Sequence, residues 1–253
     1  MSLSSYLLLF AGGVLGGVIN VMAGGAGFMT FPLFMAAGLS EMEANAANFV
    51  ALLPANAVGT FVFKREIGEV RRHLITRIGL ALLGGALGSW LLVWAGEASF
   101  HKAIPWLLLF ATLSFATGPT VKRYLETHTS FDAARWLWLS FILEFVVYVY
   151  GGYFGLGMGI ILLAIHSIFS HMSVHHANAL RNVTILMMTF VSIAILSHSG
   201  LIRWLPSLAM MAGAMLGGYG MSKLARLVPA GTVRLGILFW SVVLTGFAFW
   251  RYS

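Results

Sequence analysis

The chain has no cysteine, and charged residues make up only 9% of its 253 residues. The absence of cysteine excludes disulfide bonds, thiolate metal sites and cysteine nucleophiles. The low charge excludes an ordinary soluble fold, in which about a quarter of the residues are charged. The H-E-x-x-H pattern of zinc peptidases and the G-x-S-x-G pattern of serine hydrolases are also absent. We therefore expect no enzymatic activity, no cofactor and no metal site.

Apolar residues dominate what is present, because 59% of the chain is hydrophobic and its mean hydropathy is +0.90. A membrane helix needs about 20 apolar residues, so this length accommodates about eight to ten segments. Ten apolar runs follow one another: 6–22, 27–39, 44–63, 74–95, 104–117, 136–150, 158–169, 177–197, 205–224 and 233–250. The sequence predicts an all-α polytopic membrane protein in the lipid bilayer.

The runs divide into two sets of five, which predicts a first repeat at 1–117, a cytoplasmic linker at 118–135 and a second repeat at 136–253. Residues also match between the sets, in order and with a nearly constant offset. The matching blocks are 25–27 with 157–159, 43–50 with 176–183, 68–71 with 200–203, and Gly84/Gly88 with Gly213/Gly217. An internal duplication explains this order better than biased composition does.

Basic residues set the predicted orientation, because cytoplasmic loops carry an excess of Lys and Arg. Ten fall on one side of the membrane and three on the other. The ten are Lys64, Arg65, Arg71, Arg72, Lys122, Arg123, Arg135, Lys223, Arg226 and Arg234, and the three are Lys102, Arg203 and Arg251. Five crossings per half then give inverted repeats. Basic residues spread over short loops do not indicate a nucleic-acid partner, although the formal net charge is +7.

In each half the second run is only about a dozen residues long and follows a glycine cluster. A helix that short cannot span roughly 30 Å of hydrocarbon. Such broken helices favour a secondary transporter, because their N–H groups and positive dipole ends can bind anions at the membrane midplane. The glycines predicted to contribute are Gly24, Gly25, Gly27, Gly155, Gly157 and Gly159. The alternatives are re-entrant hairpins that never cross, and glycines that only permit close helix packing.

Polar residues near the starts of the third helices form a second candidate set: Asn45, Asn48, Asn178, Arg181 and Asn182. Amides and a guanidinium are costly in lipid, so we expect these side chains to face inward and bind substrate. The fork of donors on Arg181 suits sulfonate, sulfite or carboxylate oxygens. The alternative for Arg181 is a side chain that extends to the lipid headgroups.

Glu144 and His166 are the candidates for proton coupling, since both are titratable groups within apolar runs. The alternative for Glu144 is a structural pairing with Arg181 or a hydroxyl, and the alternative for His166 is an ordinary hydrogen-bonded core residue. His175 and His176 do not indicate a metal site, because adjacent helical residues diverge by about 100° and no carboxylate is near them in sequence.

The motifs in both halves resemble one known family. The first half carries Gly16-Gly17, then Ala23-Gly24-Gly25-Ala26-Gly27 and Pro32, and a helix that opens Glu43-Ala44-Asn45-Ala46. The second half carries the glycine-rich stretch 150–159 and the Asn/Arg stretch 177–182. These blocks resemble the TauE/SafE sulfite exporter family, also called the toluene sulfonate uptake permeases, over nearly the whole chain. Asn48, where Thr or Ser is typical, and Ala26, which interrupts a glycine run, depart from the family pattern.

The resemblance implies a multi-pass permease of the bacterial inner membrane that moves small sulfur-containing anions such as sulfite, sulfoacetate, sulfolactate or toluene sulfonate. Export is the preferred direction, protons are the candidate coupling ion, and a homodimer is the candidate assembly. An anion channel of the same fold and a permease for a non-sulfur carboxylate are the alternatives.

Overall fold

The structure, a computed structural model, describes residues 1–23, 25–127, 133–170, 173–224 and 230–252. Within these ranges the only regular elements are helices. They are α1 (Leu3–Ala23), α2 (Gly27–Ala36), α3 (Glu41–Val62), α4 (Lys64–Glu69), α5 (Arg71–Thr127), α6 (Ala133–Tyr153), α7 (Met158–Ser170), α8 (Val174–His198), α9 (Trp204–Leu224) and α10 (Ala230–Tyr252). The prediction of an all-α chain is confirmed for the part that the structure describes.

Helix α5 comprises two membrane segments joined at Gly96. Its 57 residues would extend about 85 Å if straight, nearly three times the hydrocarbon thickness. Gly96 has φ 73° and ψ 173°, a conformation open essentially to glycine alone, and it separates residues 71–95 from 97–127. These two segments are the fourth and fifth apolar runs. The second segment continues to Thr127, so helix occupies much of the predicted linker.

Glu97, the residue after this bend, also caps the start of α3. The Glu97 carboxylate accepts hydrogen bonds from the backbone N–H of Met42, at 3.2 Å, and from the Ser40 hydroxyl, at 3.1 Å. The first N–H groups of a helix have no intrahelical acceptor, so a carboxylate placed there stabilises the helix start.

Four stretches of the described residues are long and apolar enough to cross a membrane: Leu3–Asn20, Leu74–Gly118, His175–His198 and Gly231–Tyr252. The second of these contains the bend at Gly96. Helices α2 and α7 are apolar but have only 10 and 13 residues, about 15 and 20 Å of helix. The short second segment of each half is therefore confirmed, whereas their inverted orientation stays a prediction.

The chain forms two compact units. The first contains Met1–Ala55, Leu92–Thr112 and Ile193–Ser253, and the second contains Asn56–Leu91 and Leu113–Ser192. Each unit draws helices from both halves of the sequence.

In the first unit, α1 packs against α9 through glycines on both helices. A Cβ atom on Gly17 would lie 2.1 Å from the Ala214 carbonyl oxygen, and one on Gly217 would lie 2.0 Å from the Val14 carbonyl oxygen. Only glycine permits helix backbones to approach this closely, as is common in membrane proteins.

In the second unit, the first segment of α5 packs against α6 in the same manner. A Cβ atom on Gly88 would lie 2.1 Å from the Val149 carbonyl oxygen, and one on Gly152 would lie 2.3 Å from the Gly85 carbonyl oxygen. The Ser89 hydroxyl adds a hydrogen bond to the Gly152 carbonyl at 3.1 Å. The first helix of each half therefore packs against the fourth helix of the other half, and close packing explains the Gly-x-x-x-Gly pairs.

Candidate functional site

The glycine cluster of the second half separates α6 from α7. Gly155 and Gly157 have φ values of 81° and 80°, a left-handed conformation that other residues rarely adopt. The Tyr150 hydroxyl donates to the Leu156 carbonyl at 2.6 Å and holds the unwound segment. The sequence thus ends one helix and begins a short one inside an apolar region, as predicted.

The glycine cluster of the first half has an equivalent break between α1 and α2. Gly25 has φ 120°, and α2 begins at Gly27; Gly24 lies outside the described residues. The buried Thr30 hydroxyl on α2 donates to the side-chain oxygen of Asn48 on α3, and Asn45 is also fully buried. In the first unit, the predicted amides therefore face protein rather than lipid.

Arg181 on α8 lies beside the start of α7. A Cβ atom on Gly159 would be 3.7 Å from the Arg181 Cδ and 3.9 Å from its Nε, an ordinary contact distance. The Arg181 Nη2 donates to the Asn182 side-chain oxygen at 3.1 Å. Its Nε is inaccessible and has no hydrogen-bond partner among the described residues. No carboxylate in the described part of the chain forms an ion pair with this guanidinium.

Two amides accompany Arg181 on α8. Asn182 is buried, and its amide lies about 3 Å from where a Cβ atom on Gly59 of α3 would be. Asn178 is half-buried one turn earlier on the same helix. The second unit therefore collects Gly155, Gly157, Gly159, Asn178, Arg181 and Asn182, and the first unit holds Gly25, Gly27, Asn45 and Asn48. A central site that uses both groups stays a prediction.

A cluster of buried charged side chains lies elsewhere in the second unit. Arg77 on α5 places its Nε 3.2 Å from the Glu144 Oε1 on α6. The Glu144 Oε2 lies 3.5 Å from the His166 Nε2 on α7. All three side chains are 0% exposed, and the Ser140 hydroxyl donates to Glu144 at 2.6 Å. We call these four residues the buried charge cluster.

The cluster changes the interpretation of Glu144. The sequence suggests Arg181 as an ion-pair partner, but the structure gives Arg77, together with the anticipated hydroxyl and a histidine. Arg77 is absent from the predicted site, although a charged residue within the apolar run 74–95 is a signal for it, because charges inside membrane segments are costly unless paired.

His176 also has a partner that its sequence neighbourhood does not reveal. Its Nε2 lies 2.6 Å from a Glu69 carboxylate oxygen at the end of α4, and its Nδ1 lies 2.7 Å from the Ser173 hydroxyl. No carboxylate is near this histidine in sequence, but α4 brings Glu69 to it from 107 positions away. Among the described residues, no three His, Asp or Glu side chains form a group that could hold a metal ion.

A cavity of about 340 Å³ lies beside the break of the first half. Its lining has no charged side chain and consists of Ile19, Gly25, Phe28, Met29, Val233, Gly236, Ile237 and Trp240. The Trp240 indole N–H is bonded to the Phe28 carbonyl at 3.1 Å. The cavity is therefore suited to an apolar group rather than to an anionic one.

Comparisons with known proteins agree with this picture of a membrane protein. The family model described as sulfite exporter TauE/SafE matches residues 9–248. A protein of Haemophilus influenzae named "Probable membrane transporter protein" is 24% identical over 238 residues, which are 94% of this chain and 92% of that protein. No solved structure matches the chain.

Proposed function

This chain belongs to the sulfite exporter TauE/SafE family and is a multi-pass transport protein of the bacterial inner membrane, and we propose that it is a secondary transporter of small sulfur-containing anions. The proposed substrates are sulfite, sulfoacetate and related sulfonates. Export from the cytoplasm is the proposed direction, by alternating access around a central anion site.

The observation that carries the proposal is the environment of Arg181. Its guanidinium has a buried Nε, one amide acceptor on Asn182 and no ion-paired carboxylate among the described residues. A buried positive charge without a counter-ion is costly. A bound anion would supply the missing charge and the missing acceptor.

The start of α7 adds the positive end of a helix dipole at the same place. The N–H groups of Met158 and Ile160 already donate to the carbonyls of Gly155 and Gly157, so the dipole rather than these two donors would attract the anion. A helix begins with four N–H groups that lack an intrahelical acceptor, and its positive dipole end favours an anion. Gly159 keeps this surface free of a side chain where Arg181 passes it.

These groups favour a small oxyanion. A guanidinium binds two oxygens of a sulfonate, sulfite or carboxylate through its fork of donors. The amides of Asn178 and Asn182 can donate to a further oxygen. A carboxylate has two oxygens and a sulfonate has three, so the number of donors favours the sulfonate, in agreement with the family name.

The helix pairing supports inverted repeats and alternating access. The first helix of each half packs against the fourth helix of the other half. A two-fold axis that relates the halves would generate this reciprocal packing. The two glycine breaks would then be equivalent elements of one transporter. An anion channel and a carboxylate permease of the same fold are the alternatives that the experiment must separate.

The test is binding of sulfite, sulfoacetate and toluene sulfonate to purified protein, with acetate as the carboxylate control. An anion at 100 times its Kd should stabilise the wild type by about 2.7 kcal/mol. Arg181→Gln should abolish this stabilisation. The matched control Arg203→Gln should retain it, because Arg203 is exposed and paired with Glu43.

Reconstituted protein separates a transporter from a channel. A transporter loaded with unlabelled anion accumulates labelled anion transiently by counterflow, whereas a channel does not. Stabilisation by acetate alone would favour the carboxylate permease, and flux without counterflow would favour the channel. If no anion stabilises the wild type, the proposed site at Arg181 is wrong.

A further inference from the structure

In the buried charge cluster, His166 is the titratable side chain whose charge is not balanced by a partner. Arg77 and Glu144 form an ion pair at 3.2 Å, and their charges sum to zero. His166 lies on the other side of the carboxylate, at 3.5 Å from the Glu144 Oε2. A neutral imidazole leaves the cluster neutral, and a protonated one gives it a net charge of +1.

The neighbours of His166 favour the imidazole as the group that gains and loses a proton. The Glu144 Oε1 is ion-paired with Arg77 and accepts a hydrogen bond from Ser140, and both contacts favour the charged form of the carboxylate. Its Oε2 remains directed at His166 and can accept from an imidazolium. Among the described residues, the charge of Arg77 on α5 and the backbone of Ala177 on α8 also act on the imidazole, and Tyr148 on α6 is near Glu144.

Helix α7 connects this histidine to the proposed anion site. His166 is eight residues after Met158 on α7, so it lies about 12 Å along the axis from the first turn. An anion at that first turn and a proton on His166 would attract each other across this distance. With an effective dielectric constant of about 20, this attraction raises the affinity for the anion about tenfold when His166 is protonated. It raises the affinity of His166 for its proton by the same factor when the anion is bound.

We propose that His166 carries one proton together with each anion, while Arg77 and Glu144 act as fixed charges that position it. This inference rests on the proposed function, since the anion site is the one at Arg181. The imidazole takes its proton from water on one side of the membrane and returns it to water on the other, and no covalent bond to the anion forms. A monovalent anion then crosses with no net charge, in the direction of the combined gradient, so a high cytoplasmic concentration drives export.

The test uses toluene sulfonate, which stays ionised between pH 5 and 8 and cannot carry a proton itself. Proteoliposomes with an internal pH-sensitive dye should show proton movement in the same direction as the anion. His166→Gln should still bind and exchange the anion but should move no protons with it. The matched control His198→Gln, which alters an exposed histidine, should behave like the wild type.

A measurement on the wild type alone covers the case in which His166→Gln does not fold. The affinity for toluene sulfonate should be about tenfold higher at pH 5 than at pH 8. An affinity that is independent of pH, or undiminished proton movement in His166→Gln, would overturn the role of His166 while leaving the anion site intact. Failure of the wild type to bind or exchange toluene sulfonate, sulfoacetate and sulfite would overturn the proposed function and this inference together.

Discussion

Removing one member of the Arg77–Glu144 pair should destabilise the fold far more than removing both. Arg77→Gln leaves Glu144 as a buried carboxylate without its ion-pair partner, and Glu144→Gln leaves the guanidinium in the same position. At the observed 3.2 Å and an effective dielectric constant of about 20, the lost attraction is about 5 kcal/mol. Breaking buried pairs typically costs about 3–5 kcal/mol.

The double variant Arg77→Gln/Glu144→Gln removes both charges. It keeps the size of the side chain at 144 and shortens the one at 77 by two heavy atoms. In the wild type, Ser140 hydrogen-bonds to both Arg77 and Glu144. In the double variant, the two glutamine amides can bond to each other and to Ser140. Replacing a whole buried pair is often neutral, so the double variant should unfold within about 1 kcal/mol of the wild type. The coupling energy between the two sites is then a large fraction of either single effect.

The assay is unfolding of the four proteins from mixed micelles by an anionic detergent, followed by helical circular dichroism. A matched comparison is Arg203→Gln. Arg203 is 59% exposed in its ion pair with Glu43, so this pair should contribute at most about 1 kcal/mol. The reasoning is refuted if the single variants lose less than about 1 kcal/mol, or if the double variant is no more stable than they are.

Two further pairs of variants test the packing and the helix start. Gly17→Ala should cost about 1–3 kcal/mol in the same detergent unfolding assay, because its Cβ would overlap the Ala214 carbonyl oxygen and force the helices apart. The control Gly79→Ala should be neutral or slightly stabilising, because a Cβ atom there would meet open space. Glu97→Ala should cost about 1 kcal/mol, because it removes two hydrogen bonds at the start of α3. Glu97→Gln keeps a hydrogen-bond acceptor and should lose less stability. Equal losses in the two variants would show that the charge of Glu97, rather than its hydrogen bonds, stabilises the helix start.

Local sequence properties predict most of the helices. Each of the ten apolar runs lies largely within a helix, and the glycine clusters before 27–39 and 158–169 correctly mark the short helices α2 and α7. Hydropathy and glycine content act over a few residues, which is why they suffice. The short separator between the runs 74–95 and 104–117 likewise becomes the bend at Gly96.

Pairings between distant segments were not predictable in the same way. Arg77 and Glu144 are 67 positions apart in different halves of the chain, and only the packing of α5 on α6 brings them together. His176 and Glu69 meet for a similar reason. A single sequence indicates that a buried charge needs a partner, but the choice among candidate partners depends on which helices are neighbours.

The contact between α1 and α9 has a consequence for how the protein is made. Helix α1 ends at Ala23 and α9 begins at Trp204, so about 180 residues must be synthesised before α1 meets its partner. At about 5–20 residues per second, the nascent chain waits about 10–40 s, with Gly17 facing lipid or the insertion machinery. A ribosome that stops before α9 would release a chain that cannot complete its first unit, and the membrane quality-control proteases would encounter it in that state.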